Sequence, residues 1–123
     1  MHHLKELKVW NKAINLSVDV YKATASFPRE EAYGLTSQIR RAAISVPSNI
    51  SEGAGRNSNK EFIHFLGIAN GSAYELQTQL IISNKLNLIT AETLQSLLKE
   101  IEEIQKMTYT FQNTLQNKIM EKV

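Results

Sequence analysis

The 123-residue chain has no cysteine, which excludes a disulfide framework and any thiolate chemistry and suits a reducing compartment. It has two prolines and five glycines, too few for a loop-rich or disordered chain. No apolar run approaches the roughly 18 residues that a membrane-spanning helix needs. The start, Met1-His2-His3-Leu4-Lys5-Glu6, lacks the apolar stretch of a secretory signal. These absences predict a cytoplasmic protein that makes no membrane contact. Charge of one sign is also scarce. A net charge of +2 does not by itself imply nucleic-acid binding. Residues 1–60 carry nine Lys or Arg against five Asp or Glu, and residues 61–123 carry five against seven. The simplest reading of so weak an asymmetry is a set of differently solvated faces. A nucleophile elbow, a Walker loop and a dinucleotide fingerprint are all missing.

What the chain does have is helical periodicity. One domain spanning residues 1–123 is expected, long enough to bury a core. Four helices are predicted at about 5–26, 32–54, 59–86 and 91–118. In the first, Leu7, Trp10, Ile14, Val18, Tyr21 and Ala25 mark one apolar stripe, and Val9, Ala13, Leu16 and Val20 mark a second beside it. So wide a surface suggests more than one neighbour. Phe27-Pro28 ends the helix, because the residue before a proline is pushed out of the helical region. Arg29-Glu30-Glu31 can form a separate turn.

The second helix carries Leu35, Ile39, Ala42, Ala43, Val46 and Ile50 in phase through Pro47. An internal proline removes a backbone hydrogen bond and crowds the carbonyl four residues back, here that of Ala43, so a kink at Pro47 is expected. Gly53-Ala54-Gly55 suits a C-terminal cap with positive φ. Ser58-Asn59-Lys60-Glu61 matches a capping box that opens the third helix. Asn87 suits the left-handed position after it, and Thr90 caps the fourth. In the fourth helix Leu94, Ile101 and Leu115 share one heptad position, interrupted by Thr108, and Leu97, Ile104 and Phe111 share the other. Glu102 and Lys106 stand at i,i+4 spacing. Short connections force antiparallel neighbours, so the expected fold is all-α, an up-down-up-down four-helix bundle.

Few residues could carry chemistry. Glu61-Phe62-Ile63-His64 has the Glu-x-x-His spacing of di-iron bundles, but that chemistry needs a second copy and two further carboxylates. With one copy present, no metal site and no cofactor are expected, and the chain reads as non-enzymatic. The candidates for nucleic-acid binding are Arg40, Arg41, Arg56 and Lys60. The last two lie beside the third helix's N-terminus, whose free amides suit an anion. The alternative is that Arg41 pairs with Glu52 or with a neighbouring subunit's carboxylate. Ile44 falls on the outer face of the second helix. Together with Val9, Ala13, Leu16 and Val20 it forms the candidate oligomer interface, apolar surface left over after the bundle closes.

Several segments resemble the four-helix bundle family of 23S rRNA intervening-sequence proteins. They include Val9-Trp10-Asn11-Lys12-Ala13, Tyr33 through Ala42, Val46-Pro47-Ser48-Asn49-Ile50, Glu52-Gly53, Gly55-Arg56 and Gly71-Ser72-Ala73-Tyr74-Glu75-Leu76. The pattern Arg-Arg-Ala-x-x-Ser-x-Pro-x-Asn-Ile-x-Glu-Gly is long and ordered. Ser51 and Asn87 depart from it, where alanine and glycine are expected. The resemblance implies a homopentamer with no assigned catalytic activity. A related protein, the accessory variability determinant of diversity-generating retroelements, is similarly pentameric and works with a reverse transcriptase and nucleic acid. Implied partners are therefore further copies of the chain, RNA or DNA, and a reverse transcriptase or ribosome-associated protein. A protein-binding scaffold without nucleic-acid contact is the competing reading.

Overall fold

Each of four helices buries an apolar stripe against two neighbours. The computed structural model describes residues 2–121. They form α1 (Lys8–Thr24), α2 (Leu35–Ala54), α3 (Asn59–Lys85) and α4 (Ala91–Glu121), with 3-10 turns at Leu4–Glu6 and Arg29–Glu31. Contacts run antiparallel around the bundle. Gly53 meets Phe62 while Ser45 meets Ser72, and Ile63 meets Gln112 while Gln77 meets Gln105. On the other side Ser17 reaches Ala43 and Thr24 reaches Arg40. Among the described residues no helix is long and apolar enough to cross a membrane.

The core is aliphatic. Leu16, Ile39, Ile50, Leu66, Leu76, Leu80, Ile101, Ile104 and Leu115 are fully buried, with Phe62 beside them. Thr108 keeps its place in the α4 seam and is buried as well. The two expected side-chain N-caps form. The Ser58 hydroxyl oxygen accepts from the Glu61 amide at 3.1 Å, and the Thr90 hydroxyl oxygen accepts from the Thr93 amide at 3.1 Å. Glu61 returns to the Ser58 hydroxyl rather than to its backbone N–H. Asn87 takes the left-handed conformation, with φ 61°.

Helix α2 is continuous through Pro47, which is itself buried. Proline leaves the Ala43 carbonyl without its usual donor. The buried Ser17 hydroxyl of α1 lies 3.0 Å from that oxygen and 3.0 Å from the Ala13 carbonyl in its own helix. A side chain from one helix thus serves the carbonyl that the proline of the next helix released.

One local expectation is corrected. Neither Gly53 nor Gly55 has positive φ. Gly53 lies inside α2, where a Cβ would come within 2.7 Å of the Phe62 ring and 2.9 Å of the Phe65 Cβ. Its purpose is close approach of α2 and α3, not a left-handed cap. The His2 ring packs edge-on to Phe62 at 4.8 Å and to Phe111 at 6.0 Å.

Candidate functional site

The α1 stripe named as the candidate oligomer interface is the buried one. Val9, Ala13, Leu16 and Val20 lie inside the chain's own core, all at most 3% exposed, so they are not free to form an oligomer interface. The physical reason lies in side-chain size and hydroxyl placement. Ala13 and Ser17 are small, and they let α1 come close enough to α2 for the Ser17 hydroxyl to reach the Ala43 carbonyl, while the buried Thr24 hydroxyl donates to the Val20 carbonyl of its own helix. The bulkier stripe is left outside. Ile14 is 38% exposed, Val18 47% and Tyr21 39%. Ile44 is 43% exposed on the adjoining face of α2, where its spacing placed it.

Together these residues line a groove of about 560 Å³ between α1 and α2. Trp10, Ile14, Val18 and Tyr21 form one wall, and Ile44 and Pro47 form the other. Lys22, Ser48 and Ser51 supply a polar rim. Contiguous apolar surface rimmed by polar groups is the usual mark of an interaction site.

The four candidate cations do not form one cluster. Arg40 serves the end of α1: its Nε donates to the Thr24 hydroxyl oxygen at 2.9 Å and its Nη2 to the Tyr21 carbonyl at 3.2 Å. Its guanidinium also lies 4.4 Å from the centre of the Tyr21 ring. Arg56 pairs with Glu52 at 2.7 Å and with Glu61 at 3.5 Å, and it covers the Phe65 ring. Arg41 and Lys60 are exposed, and among the described residues neither forms an ion pair. Eleven residues of helix, roughly 16 Å, separate Arg41 from Glu52, to which Arg56 is bonded. The cations therefore sit in two groups, one at each end of α2.

A third feature had no sequence signal. Lys12 of α1 pairs with Glu103 of α4 at 2.7 Å and holds that carboxyl below its usual range. One turn away, Glu100 faces Asp19 across the same seam. Burial pushes the Glu100 carboxyl up to about 7, and the neighbouring Asp19 and Glu103 carboxylates add to the rise against the pull of Lys12. Asp19 and Glu100 lie too far apart in sequence for any spacing rule to pair them.

No three His, Asp or Glu side chains converge in a metal-binding arrangement among the described residues. His64 is exposed and packs edge-on to Phe65 at 5.4 Å, while Glu61 is occupied by Ser58 and Arg56.

The family described as 23S rRNA-intervening sequence protein matches residues 5–110. Among solved structures, a Bacteroides thetaiotaomicron protein of unknown function from the S23 ribosomal protein family superposes with a TM-score of 0.79. The two are 24% identical over 85% of this chain and 95% of that one, a likeness of fold. A search of curated proteins finds no match.

Proposed function

The chain belongs to the 23S rRNA-intervening sequence protein family, and from that premise we propose that it is a non-enzymatic assembly module. Copies associate through the α1–α2 groove, and the assembly repeats Arg41 and Lys60 around a ring that binds RNA or DNA. The observation that carries this reading is the apolar wall of Ile14, Val18, Tyr21 and Ile44, each more than a third exposed. Burying such a wall gains on the order of 25 cal/mol per Å² of apolar surface. The resemblance to pentameric relatives sets the expected subunit number at five. Two unengaged cations are a slight footprint on one chain, whereas a closed ring multiplies them.

Binding of a structured RNA, measured across a salt series, tests the nucleic-acid half. Log affinity should fall linearly as log salt rises, and an Arg41→Ala/Lys60→Ala variant should bind more weakly with a shallower slope. Wild-type affinity in that variant removes the patch. The competing reading, a scaffold for a reverse transcriptase or ribosome-associated protein, is favoured by one observation: Arg40 and Arg56 are engaged within the chain. Co-purification that survives nuclease, with no intrinsic RNA affinity, would support the scaffold.

A further inference from the structure

The outer face between α3 and α4 holds a second cleft, of about 320 Å³, at the small end of ligand-binding clefts. Its lining differs in kind from that of the α1–α2 groove. Asn70 and Tyr74 come from α3, and Glu102, Gln105, Lys106 and Tyr109 come from α4. No aliphatic side chain contributes. A surface made to receive an apolar helix would offer aliphatic side chains, whereas this one offers two aromatic faces and a ring of polar groups.

We infer that this cleft is a nucleobase subsite for single-stranded nucleic acid. Tyr74 is 56% exposed and Tyr109 62%, so both side chains are accessible to a ligand. Neither ring is paired with another aromatic side chain among the described residues. Bases stack on such faces without regard to sequence. The Asn70 side-chain oxygen is shielded from solvent, and no group within the described residues donates to it. Gln105 is held in place by its amide donating to the Gln77 side-chain oxygen at 3.0 Å. Glu102 is an exposed acceptor in the cleft, suited to the exocyclic amine of a base. Lys106 stands one turn away at the expected i,i+4 spacing, but no Lys106–Glu102 ion pair forms among the described residues. Its ammonium remains available for a backbone phosphate.

The face is separate from Arg41 and Lys60, and the inference rests on the proposed function only for its class of partner. A duplex keeps its bases stacked inside and cannot use the cleft, so preference for unpaired strands is the signature.

The test compares three probes against wild type, Tyr74→Ala, Tyr109→Ala and Tyr109→Phe. The probes are a labelled single-stranded RNA of roughly 12 nucleotides, the same sequence as a duplex, and cytidine monophosphate. Each alanine variant should lose about five- to a hundredfold in affinity for the single strand, the size of one lost stacking contact. Duplex affinity should not change, and Tyr109→Phe should bind the single strand like wild type. Both rings are exposed, so a matched circular dichroism melt confirms that the core is intact. Wild-type single-strand affinity in both alanine variants overturns the subsite. The salt-dependent reading at Arg41 and Lys60 would survive that outcome if duplex affinity still fell in their alanine variant. Binding of the mononucleotide with no binding of the oligonucleotide also overturns it, because the cleft would then serve a small molecule.

Discussion

Single side chains in this bundle resolve conflicts that the backbone creates. Pro47 strips the Ala43 carbonyl of its donor, and Ser17 supplies one from the neighbouring helix. Leaving a buried acceptor unpaired costs about 1–3 kcal/mol. Ser17→Ala should therefore destabilise the fold by about that amount. In a Pro47→Ala background, where the helix can donate to its own carbonyl, the cost should fall below about 1 kcal/mol. Urea unfolding of the four chains in that double-mutant cycle measures the coupling, and equal costs in both backgrounds would refute it. The arginine pair divides in the same way. Arg40 closes the end of α1 through two hydrogen bonds, while Arg41 is exposed and its side chain makes none among the described residues. Arg40→Ala should lower stability by about 1–2 kcal/mol, and Arg41→Ala should stay within about 0.5 kcal/mol of wild type. Adjacent identical residues gave the sequence no means of separating these roles. The difference comes from 100° of helical rotation and from where α1 happens to end.

At the scale of elements, periodicity located all four helices and both side-chain caps, because apolar spacing and cap chemistry are local properties. It misassigned the faces of α1. Both stripes are apolar enough to be buried, and hydrophobicity alone ranks the Trp10–Tyr21 stripe as the core. Close approach decided otherwise, and its signal was the pair of small residues Ala13 and Ser17. Gly53 carries the same lesson: it is a contact glycine, not a turn glycine. Gly53→Ala should cost about 1–3 kcal/mol by forcing Phe62 and Phe65 apart. Gly71→Ala, with nothing within 4 Å of the added carbon, should stabilise α3 by roughly 0.5–1 kcal/mol. Thermal melts of the two variants should shift in opposite directions.

The seam between α1 and α4 adds a pH dependence. Folded Glu100 holds a proton up to about pH 7, while the unfolded chain releases it near 4.5. Between these values the folded state binds more protons than the unfolded state, so stability falls as pH rises through that window and stays lower above it. Glu100→Gln keeps the neutral form at every pH. It should add on the order of 1 kcal/mol at pH 8, after allowance for solvent screening at a half-exposed seam, and little at pH 4. A variant no more stable than wild type at pH 8 would contradict the assignment.

At the scale of the whole molecule, the family and the bundle were legible from the ordered motif around Pro47 and from heptad spacing in α4. The interaction surfaces were legible only in part. Ile44 was identified because a helical wheel places it outside. Its partners Ile14 and Val18 read only as part of an apolar stripe, with nothing to mark them as outward-facing, and the cleft of Tyr74 and Tyr109 joins residues 35 positions apart. No single-helix pattern reports a surface assembled from two helices. The groove of α1 and α2 is the largest of these surfaces and the one on which assembly depends.

Light scattering of the purified chain at neutral pH, beside Val18→Asp and Ile44→Asp, tests that dependence most directly. The account predicts a wild-type mass that is a multiple of 13.9 kDa, and variants that fall to the mass of one chain with an unchanged helical spectrum. A wild-type protein that stays a single chain, or charged variants that keep the wild-type mass, would contradict it.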